Sequence, residues 1–291
     1  MKLIALDLDG TLLTTEKELT AENEAALRRA AEAGIEIVPA TGRFYGAIPE
    51  AVRALPYVHY AITINGAQVR DVRAGRPLLR AEIPCRLAIE VMTFLDRLPV
   101  IYDCYMDDWG WMTRSHYDRA ADFAPHRHSL DMLRNFRTPV PELKAHLAEL
   151  GHDVQKIQTF FLDMELRART MEELAARFPA LAVTSSLPRN VELNSAKAQK
   201  GIALQGLAAR LGIPMAETVA FGDDLNDVSM LRAAGIGIAM ANAGPEALAA
   251  ADMRTASCDE NGVALALNRL CHSERSEEAV LPGGLTGGNE K

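Results

Sequence analysis

The chain has 291 residues, 48% of them hydrophobic and 24% charged, with a formal net charge of -8. That is globular composition, with apolar material for one large or two modest domains. The acidity leaves no basic footprint for nucleic acid, so an anionic ligand has to be drawn by positive charge concentrated locally, on a metal, a lysine or a helix N-terminus.

In chain order, Lys2 to Leu6 is a short apolar run that reads as a strand covered on both faces. Thr20 can cap an alanine-rich helix running through Ala33, with Gly34 as its stop. Ile35 to Val38 reads as a second strand, ending at Pro39-Ala40-Thr41-Gly42, and Ala61 to Ile64 as a third, ending at Asn65-Gly66. Strand, helix and strand in this rhythm imply right-handed crossovers and a parallel sheet.

From about Pro84 to about Leu187 the texture changes. Helical patterns at Arg86 to Leu98, Pro141 to Leu150 and Thr170 to Phe178 alternate with strand-like pieces at Lys156 to Leu162 and Leu181 to Thr184. The earlier rhythm then returns: a helix over Gly201 to Leu211 closed by Gly212 and Pro214, a strand over Thr218 to Phe221, a helix over Asp227 to Ala234 and a strand over Gly237 to Met240. From His272 on the chain is polar, glycine-rich and aperiodic, and is expected to be disordered. The expected fold is α/β: a Rossmann-like parallel sheet core from residues 1–82 and 188–271, an inserted α+β unit over 83–187, and a tail over 272–291.

Cys85, Cys104, Cys258 and Cys271 lie far apart without metal-ligand spacing, so reduced and mostly buried thiols are expected. Apolar runs fall short of a membrane span, and the opening MKLIALDLDG reaches acidic residues too early for a signal peptide. A cytoplasmic protein is expected.

Ligands of an open parallel sheet bind at the carboxyl ends of its strands, which is where the acidic clusters fall. In Asp7-Leu8-Asp9-Gly10-Thr11, period-two alternation puts Asp7 and Asp9 on one side and turns Leu8 into the packing. Two carboxylates that close raise each other's pKa unless a cation sits between them, and a hard divalent ion such as magnesium meets that need. By itself such a pair is equally an Asx-rich turn. In Gly222-Asp223-Asp224-Leu225-Asn226-Asp227, Asp223 can complete a metal site, while Asp227 can cap the next helix or orient a metal-bound water. Thr41-Gly42-Arg43, with a hydroxyl and free N–H groups at the start of the next helix, is a phosphate anchor. Lys200, at a helix entry before Gly201, can offset charge on phosphoryl oxygens, with Lys197 as a rival for that role. His116, His126 and His128 read as surface or loop histidines rather than a metal site, and Trp109 and Trp111 either line a ligand or pack a core.

DLDGT, TGR, INGA, KG and GDDLND in this order resemble the haloacid dehalogenase superfamily, and more narrowly its Cof-type, subclass IIB, sugar-phosphatase branch, in which a C2-type cap interrupts the core. The resemblance covers the two core segments; within the cap only position and size match. It implies a Mg²⁺-dependent phosphatase acting on a small phosphorylated metabolite, a sugar phosphate foremost, as a monomer or homodimer that binds neither nucleic acid nor membrane. It implies Asp7 as the nucleophile that becomes an aspartyl-phosphate. Asp9 serves as general acid and then base, its pKa raised in the complex. Asp7, the Asp9 carbonyl and Asp223 bind the metal, with Asp227 in support. Thr41, Lys200 and Asn226 hold phosphoryl oxygens beside Gly42 and Arg43, and Asn65 contacts Asp9 or substrate. A phosphotransferase or mutase, or a non-catalytic binding protein of the same fold, are the alternatives.

Overall fold

The computed structural model describes residues 1–124, 127–185 and 189–278. Every residue of β1 (Leu3–Leu6) is fully buried, which requires strands on both edges and helices on both faces. Its neighbours are β2 (Glu36–Pro39) and, from the far end of the chain, β12 (Thr218–Gly222), both parallel to it. Beyond β12 lie β13 (Ile236–Ala239) and β14 (Met253–Arg254), giving a five-stranded parallel sheet in the order β14-β13-β12-β1-β2. The chain thus leaves β1 towards one edge and returns on its other side, and the junction of β1 with β12 is where a ligand site opens in such sheets. The Asp7 N–H donates to the Phe221 carbonyl at 3.0 Å, so both carboxyl ends stop at the same level. The helix Ala21–Glu32 starts where expected, with Thr20 accepting from the Asn23 N–H.

The segment expected as a third parallel strand behaves differently. Residues Tyr60–Thr63 form β3, which meets the main sheet through a single parallel bridge between Ala40 and Ile62. Its other edge pairs antiparallel with β4 (Gln68–Asp71), followed by β5 (Arg76–Arg80). The reversal is made by Ile64-Asn65-Gly66, whose φ values of 51°, 57° and 93° are all positive.

Among the described residues the inserted unit is a six-stranded sheet, in the order β10-β11-β9-β6-β7-β8: β6 (Ile101–Met106), β7 (Trp109–Thr113), β8 (Arg137–Val140), β9 (Lys156–Phe160), β10 (Leu181–Thr184) and β11 (Asn190–Ser195). One face, with Tyr102, Cys104, Ile157, Val191 and Leu193, packs under the helices Cys85–Leu95, Leu143–Leu150 and Met164–Arg177. The other face is mixed: Ile101, Met112 and Phe160 join an apolar cluster with Phe123 and Leu133, while polar residues fill the rest, Asp103 opposite Gln158, Tyr105 opposite Lys156, and Glu192 opposite Gln158. Because β11 pairs with β9 and β10, the inserted sheet reaches Ser195, past the boundary expected at residue 187. Asn190-Val191-Glu192-Leu193-Asn194 alternates polar and apolar, the pattern of a strand with one apolar face, and its polar side chains are buried as well.

The expected tail is corrected in part. The helix Gly262–Glu278 continues through His272, anchored at its start by Val263, Ala264 and Leu267 in the main core; residues 279–291 lie outside the described residues.

Phe44 ties the inserted sheet to the core. It is buried, and its ring meets Tyr105, Trp109 and Phe136 edge to face at 5.5, 5.7 and 5.5 Å between centroids. Truncation Phe44→Ala is expected to cost about 3–5 kcal/mol in urea unfolding, and a loss below about 1 kcal/mol contradicts this assignment.

Candidate active site

The parallel register puts Leu6 opposite Phe221, so Asp7 leaves β1 level with Gly222, one residue before Asp223, and the two aspartates converge from opposite ends of the chain. A third approach comes from the N-terminus of the helix Lys200–Leu211. Lys200 is fully buried, and its Nζ donates to Asp7 Oδ1 and to Asp227 Oδ1, each at 2.6 Å. Burial opposes the lysine's charge, but Asp227 and Asp7 outweigh it and raise its pKa above the ordinary range. The rival Lys197 is exposed, so the geometry decides for Lys200. The helix can approach this closely because Gly201 lacks a side chain: a Cβ there would lie 2.2 Å from the Ser229 carbonyl.

Asp227 is fully buried, and its second oxygen, Oδ2, accepts from the N–H groups of Asp223 (3.0 Å) and Asp224 (3.1 Å). It therefore shapes its own loop and shares the capping with Asp224. The two close a capping box on the short turn Leu225–Asp227, in which Asp224 Oδ1 accepts from the Leu225 N–H. The Asp227 side chain makes no cap bond to the helix Val228–Ala233 that follows. Asp223 Oδ1 accepts from the Thr11 hydroxyl at 2.9 Å, and its other oxygen lies where a Cβ on Gly10 would stand, 2.3 Å away. Gly10, at φ +83°, is thus required twice over.

Asp7, Asp223 and Asp227 each offer an oxygen within 4.8 Å of the others. Burial raises the Asp7 pKa well above the carboxylate range, with Asp227 and Asp223 adding and Lys200 opposing. Burial and Asp227 push Asp223 up to about 6. Three crowded carboxylates facing one ammonium, with oxygen as the sole donor type, fit a hard divalent cation.

The side chain of Asp9 is not part of this cluster. It takes a bidentate pair from Arg43, Nε to Oδ2 at 2.8 Å and Nη2 to Oδ1 at 2.7 Å, and a third contact from Lys17 at 3.0 Å. Burial raises its pKa, but the Arg43 and Lys17 contacts outweigh that and hold it at about 2. In this state Arg43 is turned to Asp9 rather than outward to a phosphate, because its guanidinium fork matches a carboxylate at the end of the neighbouring strand.

Around Thr41 the expected helix start is absent among the described residues. A short 3₁₀ turn, Tyr45–Ala47, follows instead. The Thr41 N–H donates to the Ile62 carbonyl, and the Thr41 hydroxyl accepts from the Arg43 N–H, so those two amides are engaged. Thr41 keeps a hydroxyl proton to donate. Asn65 meets neither Asp9 nor open space. Its Oδ1 accepts from Asn226 Nδ2 at 3.1 Å, and its Nδ2 donates to Glu192 Oε2 at 3.4 Å. Gly42 is packed against Asn65, and its carbonyl accepts from Lys156 Nζ at 3.5 Å.

Lys17, Lys156 and Glu192 were missed in the sequence. For the last two the signal lay in polar residues recurring at every second position of strands otherwise apolar. In the inserted unit, His116 stacks edge-on against Tyr102, and burial lowers its pKa. His126 and the side chain of His128 lie outside the described residues. Both tryptophans pack: Trp109 Nε1 donates to Thr138 Oγ1 and Trp111 Nε1 to the Met106 carbonyl. Cys85, Cys104 and Cys258 are free thiols, the last two buried. Among the described residues no helix is long and apolar enough to cross a membrane.

The sequence model of the haloacid dehalogenase-like hydrolases matches residues 4–267. Phosphatase YwpJ of Bacillus subtilis is 34% identical, over 93% of this chain and all of its own length. Pyridoxal phosphate phosphatase YbhA of Escherichia coli is 32% identical over 83% of this chain and 88% of its own. The solved structure of a haloacid dehalogenase-like hydrolase from B. subtilis superimposes with a TM-score of 0.78 at 33% identity, covering 93% of this chain and 100% of that one.

A carboxyl whose folded pKa stands above its unfolded value favours folding at low pH, and that contribution is lost as pH rises; for Asp223 the loss runs from about 4 to about 6. Ionised, the cluster repels itself unless a cation binds. Millimolar Mg²⁺ is therefore expected to raise Tm more at pH 7.5 than at pH 5, and Asp223→Asn to remove most of the difference. Differential scanning fluorimetry checks this, and an increment equal at both pH values contradicts it.

Proposed function

The chain belongs to the haloacid dehalogenase-like hydrolase family and is a phosphatase, and from that premise we propose that it hydrolyses the monoester of a small phosphorylated metabolite, with Mg²⁺ as its cation and Asp7 as the group that is phosphorylated. The observation that carries this reading is the Lys200 ammonium held between Asp7 and Asp227, with Asp223 alongside. Asp7 and Asp223 would hold the ion, with the Asp9 carbonyl as a further oxygen and Asp227 behind them. When bound, magnesium supplies positive charge to the phosphoryl oxygens.

In the first half-reaction the Asp7 carboxylate attacks phosphorus. The new O–P bond forms as the bond to the leaving oxygen breaks, and Asp9 gives that oxygen its proton. In the second, water attacks the same phosphorus while Asp9 takes a proton from it, and inorganic phosphate leaves as Asp7 is restored. Lys200 and the Thr41 hydroxyl hold phosphoryl oxygens where charge builds up. In this state both Asp9 oxygens are taken by Arg43 and Lys17, so Asp9 acts as the acid once it exchanges those partners for the leaving oxygen.

For the leaving group we favour a sugar. The polar face of the inserted sheet meets the catalytic loops at Gly42 and Asn65, and it carries the amide of Gln158, a group suited to hydroxyls, beside Asp103, which is paired with Arg137. A panel of sugar, nucleotide and cofactor phosphates with Mg²⁺ tests the substrate class. Asp7→Asn is expected to lower kcat by at least about 10³-fold on any substrate found, and excess chelator to abolish turnover. Undiminished turnover in either case rules the mechanism out.

A further inference from the structure

The turn Ile64-Asn65-Gly66 is strained and central. A β-branched residue at φ +51°, followed by Asn65 at +57°, persists only where surroundings over-determine it. Here they do. The Ile64 N–H donates to the Arg43 carbonyl and the Asn65 N–H to the Thr41 carbonyl, both at 3.0 Å. Asn65 Oδ1 accepts from Asn226, in the loop that carries Asp223 and Asp227. Gly66 lies so close to the entry of the Lys200 helix that a Cβ would stand 2.5 Å from the Gln199 carbonyl. One turn therefore touches the Thr41 loop, the Lys200 helix and the Asn226 loop.

The inserted sheet grips the same place. Glu192 accepts from Asn65 Nδ2, and its other oxygen is paired at 3.2 Å with Lys156 Nζ, which also reaches the Gly42 carbonyl. Lys156 and Glu192 are 3% and 4% exposed, so their charges are committed to each other and to these loops. We propose that Asn65, Lys156 and Glu192 are positioning residues, which align Thr41, Lys200 and Asn226 only when the inserted sheet is seated on the core. The inference rests on the reading of Asp7 and Lys200 as catalytic. With the sheet lifted, the turn loses partners that hold its left-handed backbone, and the three loops it joins lose their common reference.

The test is a double-mutant cycle in the full chain between the core side, Asn65→Gly, and the sheet side, Lys156→Met with Glu192→Met. Glycine adopts φ +57° freely, so the core variant keeps its backbone while losing the side chain. Replacing both ions leaves no unpaired charge. With p-nitrophenyl phosphate and Mg²⁺, each side is expected to lower kcat by about 10- to 100-fold with KM changed by less than about threefold. The combined variant is expected to fall within about threefold of the worse single one. A raised KM at unchanged kcat marks substrate contact, and multiplicative losses mark independent effects; either overturns the proposal. Amide hydrogen exchange gives a reading that needs no turnover: the sheet-side variant, or Asn65→Gly alone should the former not fold, is expected to exchange faster at 41–43, 64–66 and 225–227 together. Changes confined to the mutated element overturn the proposal even if no ester is hydrolysed, and the three segments responding together sustain the relay whatever the chemistry.

Discussion

A lysine with no exposed surface keeps its charge only if carboxylates enclose it, and the arrangement around Lys200 follows from that requirement. Its ammonium meets Asp7 from the first strand and Asp227 from the loop after β12, so it joins segments about as far apart in the chain as the fold permits. Asp227 can serve only because its other oxygen is held by two amides of its own loop. Removing any member leaves a buried charge unpaired, which is far more costly than losing one hydrogen bond at the surface. The same enclosure raises Asp7 and Asp223, and leaves the cluster with more negative charge than the lysine balances.

Two residues away the opposite solution is found. Asp9 faces Arg43 and Lys17 and is held at about 2, while Asp7 is raised by burial among its own kind. Neighbouring carboxylates with divergent environments are a recognised basis for dividing nucleophilic and acid–base work. Arg43 contributes by holding Asp9 and by lending its carbonyl to the Ile64 turn, so the TGR segment organises the site from its side chain and its backbone at once.

The inserted unit brings a two-faced sheet to this centre. Its apolar face is covered by its own helices, and the polar part of the other face, with Lys156 and Glu192, is left for the core. Contact is made through an aromatic cluster around Phe44 and an ionic one at Lys156 and Glu192, at either side of the Thr41 loop. The aromatic contacts supply burial, and the ionic ones set where the loops stand.

Much of this was legible in the chain itself. The doubly covered strands, the Thr20 cap, the helix ending at Gly212 and the acidic clusters at strand ends are local patterns with local causes, and their order was enough to indicate a family. Lys200 was identified, yet Lys197 could be set aside only once burial was visible. What the sequence could not show are relations between distant segments: β3 turning away from the parallel sheet, β11 joining the inserted sheet, Arg43 closing on Asp9, and Asn65 reaching Asn226 and Glu192. Periodicity reports which face of an element is covered, not by what. The partners of a buried charge are chosen by tertiary packing, because the cost of leaving it unpaired is settled only when the whole chain has closed around it.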